Sequence, residues 1–168
     1  MPIKGFGGES SGPEPLIEMH KVIIDILEEN VGTPITITTI VDIMNLIGKC
    51  VVSGNVRRSA EIVFGDADSE EYLDLKNYEV NPNRESFGWA SNNSIFANLG
   101  MDYDPAAERI AINGEPGFAW LENMRAYGRM GDEPDNKDWR VSGGNPCLEQ
   151  SLESGEICNL VETFPNNH

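Results

Sequence analysis

Between residues 15 and 30 apolar side chains recur at Leu16, Met19, Ile23, Ile26 and Leu27. Steps of three and four place them on one face of a helix. Pro15 suits the first turn, where an N–H has no intrahelical partner to lose, and Gly32-Thr33-Pro34 ends the run. A second helix is expected over residues 35–48, starting near Thr38 or Thr39. Ile40, Ile43, Met44 and Ile47 line one face of it, and Gly48 is the stop signal. Both helices carry apolar surface beyond a single stripe, so each needs a partner, as a helix covering a sheet does.

After residue 48 the period shortens. Cys50-Val51-Val52 is apolar and β-branched and reads as a strand end. Ser53-Gly54-Asn55 reads as a turn and residues 60–64 as a strand. Residues 66–78 are acidic, with Tyr72, Leu73 and Leu75 as apolar points, and predict a short surface helix with a solvated acidic face. Asn81-Pro82-Asn83-Arg84 predicts a turn, and residues 89–99 a strand with a polar entry. Residues 102–112 predict a helix capped by Asp104 with Pro105 in its first turn. A turn at Asn113-Gly114 leads to a strand over 117–121. A polar, irregular stretch over 125–139 follows, and a last strand over 157–164 carries Cys158. Strands alternating with helices predict an α/β fold with a mostly parallel sheet of four or five strands, without internal repeats.

Composition narrows the function classes. The 168 residues fit one domain or part of one, and 39% apolar content supports a core. The formal charge of −16 rules out a broad nucleic-acid footprint but leaves room for a small phosphate site built from a few local donors. Three cysteines, Cys50, Cys147 and Cys158, are a poor framework for secreted disulfides. No apolar run approaches the roughly 20 residues that span a bilayer, and the start is unlike a signal peptide. A cytoplasmic protein, with no membrane partner, is the expectation.

The chemistry concentrates in Gly143-Gly144-Asn145-Pro146-Cys147-Leu148-Glu149, followed by Cys158-Asn159-Leu160. Two glycines and Asn-Pro cannot continue a regular element, so Cys147 lies on a tight loop. If the loop is extended near its tip, Asn145, Cys147 and Glu149 share one side. An amide, a thiol and a carboxylate then converge as donor, sulfur reactant and general acid/base. The alternative is that Cys147 is a small buried apolar residue. Two cysteines eleven apart, with only His20 and His168 besides, make no metal site.

Asn-Pro-Cys-x-Glu followed by Cys-Asn-Leu resembles the finger loop of ribonucleotide reductases, and the eleven-residue spacing is most similar to the adenosylcobalamin-dependent ribonucleoside-triphosphate reductases. Residues 51–61, with Ser53, Gly54, Asn55, Arg57 and Arg58, resemble the loop that couples effector identity to substrate choice. Residues 5–13, Gly-Phe-Gly-Gly-Glu-Ser-Ser-Gly-Pro, resemble the glycine-rich segment beside the other effector loop. Tyr127 to Met130 is similar to the family's Tyr-Gly-Arg-Met connector.

The resemblance implies part of a ten-stranded α/β barrel, about one half-barrel plus the cysteine finger loop. It divides the chain into an effector and specificity region (1–64), barrel strands and helices (65–140) and the finger loop with its following strand (141–168). It implies Cys147 as the thiyl radical, generated by adenosylcobalamin, Glu149 as the base for the 3′-hydroxyl and Asn145 as its hydrogen-bonding partner. Cys158 would be one of two reducing thiols. Asn92 and Asn93 would be either contacts to a ribose hydroxyl or turn formers. Implied partners are a ribonucleoside triphosphate, a deoxynucleotide effector, a thioredoxin-like or dithiol reductant and the remaining reductase polypeptide. The second reducing thiol lies upstream of the glycine-rich segment in that family. Cys50 falls where the family places no redox cysteine and is assigned to packing. The chain alone is therefore expected not to turn over. A subunit of a split reductase, a non-catalytic nucleotide-binding module and an inactive remnant are the alternatives.

Overall fold

The computed structural model describes residues 2, 3, 5, 7–127, 131–159 and 161–167. Of the positions named above, Phe6, Gly128, Arg129, Met130, Leu160 and His168 lie outside the described residues.

Helix α1 spans Glu14–Glu29, with proline in its first turn and Asn30 at its C-cap. Helix α2 spans Ile37–Val52 and begins one residue before Thr38. The Thr36 hydroxyl accepts the Thr39 N–H at 3.1 Å and so caps the helix. Cys50-Val51-Val52 is its last turn and not a strand end. The apolar face set by Ile40, Met44 and Ile47 continues at Val51, and that helical register outweighs the weak β preference of two valines.

Strands β1 (Glu61–Gly65), β2 (Ser91–Phe96) and β3 (Gly117–Ala119) form one parallel sheet in chain order. In register, Ile62 lies opposite Asn92 and Phe64 opposite Ser94, while Ile95 lies opposite Phe118. Alternation along each strand gives the sheet two distinct faces. Val63, Ile95 and Phe118 point to the helical layer, where Val41, Tyr72, Leu73, Leu75 and Ala106 form the core. Phe64 and Phe96 point the other way, their rings stacked at 4.7 Å.

The acidic stretch before β2 is not a surface helix. It contains one helical turn, α3 (Glu70–Leu73), capped by Ser69, and Tyr72, Leu73 and Leu75 are all fully buried. Glutamates dominate the composition there, yet three apolar anchors decide where the segment goes. The Tyr72 hydroxyl sits 2.7 Å from the carbonyl oxygens of both Val63 and Ser94, tying α3 to β1 and β2. Burial pushes its pKa up, so it stays a neutral donor.

The predicted turn at residues 81–84 opens a 3-10 turn, Pro82–Ser86, which carries a completely buried arginine. Arg84 Nε lies 2.5 Å from Asp42 Oδ1, and its guanidinium also donates to the Leu75 carbonyl. Beside it Asn45 Nδ2 donates to Glu61 Oε2 at 3.1 Å, linking α2 to the start of β1. Helix α4 spans Asp104–Asn113. Its N-cap is Tyr103, so Asp104 opens the helix and makes no capping bond. The strand expected over 117–121 stops at Ala119, and α5 (Leu121–Ala126) follows.

The last two strands, β4 (Gly143–Gly144) and β5 (Ser151–Leu152), pair antiparallel in a hairpin apart from the main sheet. The strand expected over 157–164 is not formed among its described residues. Ile157, Val161 and Phe164 are 75%, 83% and 61% exposed, and no neighbouring strand offers them backbone partners. Among the described residues no helix is long and apolar enough to cross a membrane.

Candidate active site

The hairpin carries the cysteine motif at its tip. Gly144 sits where a Cβ would stand 2.8 Å from the Gln150 carbonyl, so the close approach of the two legs requires glycine there. The Leu148 N–H donates to the Asn145 carbonyl at 2.8 Å, closing a four-residue turn with Pro146 second and Cys147 third. Pro146 presets the φ that its position in the turn requires. Leu148 takes φ +61°, which turns the chain back into β5.

Cys147 is exposed at this tip, which excludes the reading of a buried apolar cysteine. Asn145 is 4% exposed and organises the base of the loop. Its Oδ1 accepts the Gln150 N–H at 3.0 Å; its Nδ2 donates to Glu149 Oε1 at 2.5 Å and lies 3.5 Å from Cys158 Sγ. The structure thus gathers Asn145, Glu149 and Cys158 around one amide, with Cys147 one turn residue away. The reason differs from the one expected. Residues 145–148 form a turn, so alternation along an extended segment is not what brings the amide and the carboxylate together.

The loop is fixed from several sides. Asn92 Nδ2, on the stacked-phenylalanine face of β2, donates to the Pro146 carbonyl at 2.8 Å. A Cβ on Gly143 would lie 2.7 Å from Phe64 Cε2, so the hairpin rests directly on that ring. Arg125 Nε donates to the Val141 carbonyl at 2.9 Å, and Arg140 pairs with Glu153 across the two legs. Asn92 and Asn93 are therefore strand residues and not turn formers. Asn93 is buried on the face opposite the loop, its Oδ1 accepting from Ser91 Oγ at 2.9 Å. Strand alternation reveals that Asn92 and Asn93 face opposite ways. Nothing in the sequence pairs Asn92 or Arg125 with the cysteine loop.

The second constellation lies at the end of α2. Ser53 is the C-cap, and its hydroxyl donates to the Cys50 carbonyl at 2.6 Å and lies 3.2 Å from Ser11 Oγ. Gly54 has φ +81°, and a Cβ there would stand 2.8 Å from the Glu9 carbonyl. Val56 packs against Gly8 in the same way, with a Gly8 Cβ reaching Val56 Cγ2 at 3.0 Å. Hence the glycine-rich segment and the 53–58 loop, far apart in sequence, lie against each other. Asn55 takes φ +57° and accepts from Arg58 Nη1 at 2.7 Å, while Arg57 and Arg58 are both exposed. In a chain of charge −16, two exposed guanidiniums on a glycine-rich junction form a local anion-attracting spot. Cys50 lines a cleft of about 510 Å³ between α1, α2 and the Pro82–Ser86 turn. That cleft lies in the helical layer, across the sheet from the cysteine hairpin.

Comparison with known proteins bears on both constellations. No protein-family model matches the chain. Over 166 residues it is 66% identical to the adenosylcobalamin-dependent ribonucleoside-triphosphate reductase of Euglena gracilis, covering 99% of this chain and 23% of that protein. The reductase of the same name from Lacticaseibacillus paracasei is 50% identical over 165 residues, covering 97% of this chain and 22% of its own length. The chain is homologous to one segment of these reductases. A crystal structure of a B12-dependent, class II ribonucleotide reductase superposes with a TM-score of 0.82 at 39% identity, over 99% of this chain and 23% of that one. The chain thus spans less than a quarter of the length of the curated relatives it matches. The match covers 99% of this chain, and so takes in the glycine-rich junction, the parallel sheet and the cysteine hairpin.

Proposed function

We propose that the chain supplies the cysteine finger loop and the specificity-loop junction of an adenosylcobalamin-dependent ribonucleoside-triphosphate reductase. Its three parallel strands would be part of a ten-stranded barrel, about one half-barrel plus the loop, in a cytoplasmic enzyme. Residues 1–64 would serve the effector, 65–140 the barrel wall and 141–168 the chemistry. The observation that carries the proposal is Asn145 Nδ2, which joins Glu149 and Cys158 at the base of the turn presenting Cys147.

The ribose C3′–H bond has no useful acidity, so its hydrogen leaves as an atom, and sulfur at Cys147 is the acceptor. The thiol suits a radical cofactor in being exposed on a fixed turn. The two clefts at the hairpin base, about 300 and 60 Å³, are lined by Asp138, Glu153 and Glu156 beside Val141, Leu152 and Ile157 and are too small to enclose a corrin. The chain therefore contributes the thiol and leaves the cofactor's binding surface to the rest of the reductase. Adenosylcobalamin, when bound, supplies the one-electron oxidation of that thiol. Glu149 accepts the 3′-hydroxyl proton as the C3′ radical forms, and Asn145 holds the hydroxyl and the carboxylate in one plane of hydrogen bonds. The 2′-hydroxyl then leaves as water on taking a proton from one of the two reducing thiols, the hydrogen of the other going to C2′. Cys158 and a second thiol from elsewhere in the reductase give two electrons and become a disulfide. Finally Cys147 returns its hydrogen to C3′. Arg57 and Arg58, with the backbone N–H groups of the glycine-rich segment, would hold the phosphates of a deoxynucleotide effector. An external dithiol or thioredoxin-like protein resets the disulfide.

A chimera tests the reading: this chain replaces its counterpart in the Euglena gracilis reductase, and nucleoside-triphosphate reduction is assayed with adenosylcobalamin and dithiol. Retained turnover that vanishes in Cys147→Ala is expected. Turnover that survives Cys147→Ala, in a chimera with native effector binding, would leave only the nucleotide-binding alternative.

A further inference from the structure

We propose that Asn92 is the positioning residue for Cys147, holding the central peptide of its turn in one orientation by a hydrogen bond to the Pro146 carbonyl. The functional meaning of this rests on Cys147 being the reacting sulfur; the anchoring itself does not. In a turn of this kind the peptide between the second and third residues is the unit able to flip, which exchanges type I for type II and demands positive φ at the third residue. That residue is Cys147, which keeps its φ out of the left-handed region, whereas Leu148 after it adopts +61°. A flip would swing the Pro146 carbonyl away from the sheet, break the 2.8 Å bond from Asn92 Nδ2 and re-aim the Cys147 side chain.

Asn92 is well placed for this task. It lies on β2, the central strand of the parallel sheet, opposite Ile62. Its neighbours are pinned on the other face: Ser91 Oγ donates to Asn93 Oδ1 at 2.9 Å, and the Asn93 N–H reaches Glu115 Oε2 at 3.3 Å. The donor is therefore carried by a rigid element, and the acceptor by the one peptide whose orientation matters. Pro146 has no N–H, so its carbonyl is that residue's only backbone hydrogen-bonding group.

The test uses the 168-residue chain without nucleotide or cofactor. Site-resolved alkylation rates of Cys147, Cys158 and Cys50 are measured against pH, with hydrogen exchange at the Leu148 amide that closes the turn. Asn92→Ala should speed Leu148 exchange roughly two- to tenfold, the range expected for one lost hydrogen bond, and change the Cys147 rate while Cys50 stays constant. Asn92→Asp replaces the donor by a carboxylate and should move the Cys147 rate profile to higher pH, which a purely structural lesion would not do. Asn92→Gln keeps a donor and should restore part of the effect. Unchanged Cys147 kinetics and Leu148 exchange in both Ala and Asp variants would overturn the proposal. Because the readout is thiol chemistry, an inactive chimera would count against the reductase reading and leave the role of Asn92 standing.

Discussion

Asn145→Asp is the sharpest probe of the loop. The change is isosteric and keeps the Oδ1 that accepts the Gln150 N–H. It replaces the Nδ2 that donates to Glu149 Oε1 at 2.5 Å by a second carboxylate oxygen. Two ionised carboxylates whose charges centre about 4 Å apart repel by about 1 kcal/mol in water and about 4 kcal/mol at an effective dielectric constant of 20. Glu149 is exposed, so the lower figure applies, equivalent to about one pH unit. The pair in the variant therefore shares one proton until the pH stands about one unit above the ordinary carboxylate range. Below that point the shared proton replaces the lost donor and the loop stays closed. Above it, repulsion opens the base of the turn and Cys158 loses its amide neighbour. Hydrogen exchange at Gln150, followed against pH, reads this directly. In the variant, protection should be native at low pH and fall below that of the parent chain as pH rises through that range. Equal protection in both proteins at every pH would refute the claim that the Asn145–Glu149 contact organises the loop.

Three further outcomes follow from the fold. Arg84→Ala leaves Asp42 buried without its partner and should cost about 3–5 kcal/mol in urea unfolding, more than an exposed ion pair would. Gly143→Ala drives a methyl into Phe64 and should destabilise the hairpin by about 1–3 kcal/mol, seen as faster exchange at Ser142 and Asn145 with the main sheet unchanged. Burial raises the Glu71 pKa, but hydrogen bonds from the Thr38 backbone and hydroxyl outweigh it and hold the carboxyl below its usual range. Its stabilising contribution is thus complete above the ordinary glutamate range and lost as pH falls through the depressed value. Glu71→Gln should flatten the acid limb of the stability profile and leave the neutral limb parallel to the parent.

Much of the fold was legible because local signals agreed with the tertiary outcome. Pro15 and the helical steps from Leu16 to Leu27 place α1 within a residue at each end. The β-branched run ending at Phe64 gives β1, and the turn residues around Cys147 give the hairpin tip. The misreadings have a common cause, namely partners distant in sequence. Residues 66–78 look like solvated surface until Tyr72 finds two strand carbonyls and Leu75 the core. The turn at residues 81–84 gives no local sign that Arg84 is buried, because its partner Asp42 lies on a helix 42 positions earlier. The stretch over 157–164 has strand composition, but among the described residues it has no neighbouring strand to pair with. In the site, the residue types at 145, 147, 149 and 158 were readable. Their convergence on one amide, and the reach of Asn92 across 54 positions, required coordinates.

The central claim assigns different jobs to two sulfurs: Cys147 breaks the C3′–H bond, and Cys158 delivers electrons afterwards. Following tritium from a 3′-labelled ribonucleoside triphosphate in the chimeric reductase separates those jobs. The account predicts that Cys147→Ser leaves the label untouched, while Cys158→Ser still breaks the C3′–H bond but makes no deoxynucleotide in steady turnover. Loss of label from C3′ in Cys147→Ser, or equal silence in both variants with the fold intact, would contradict it.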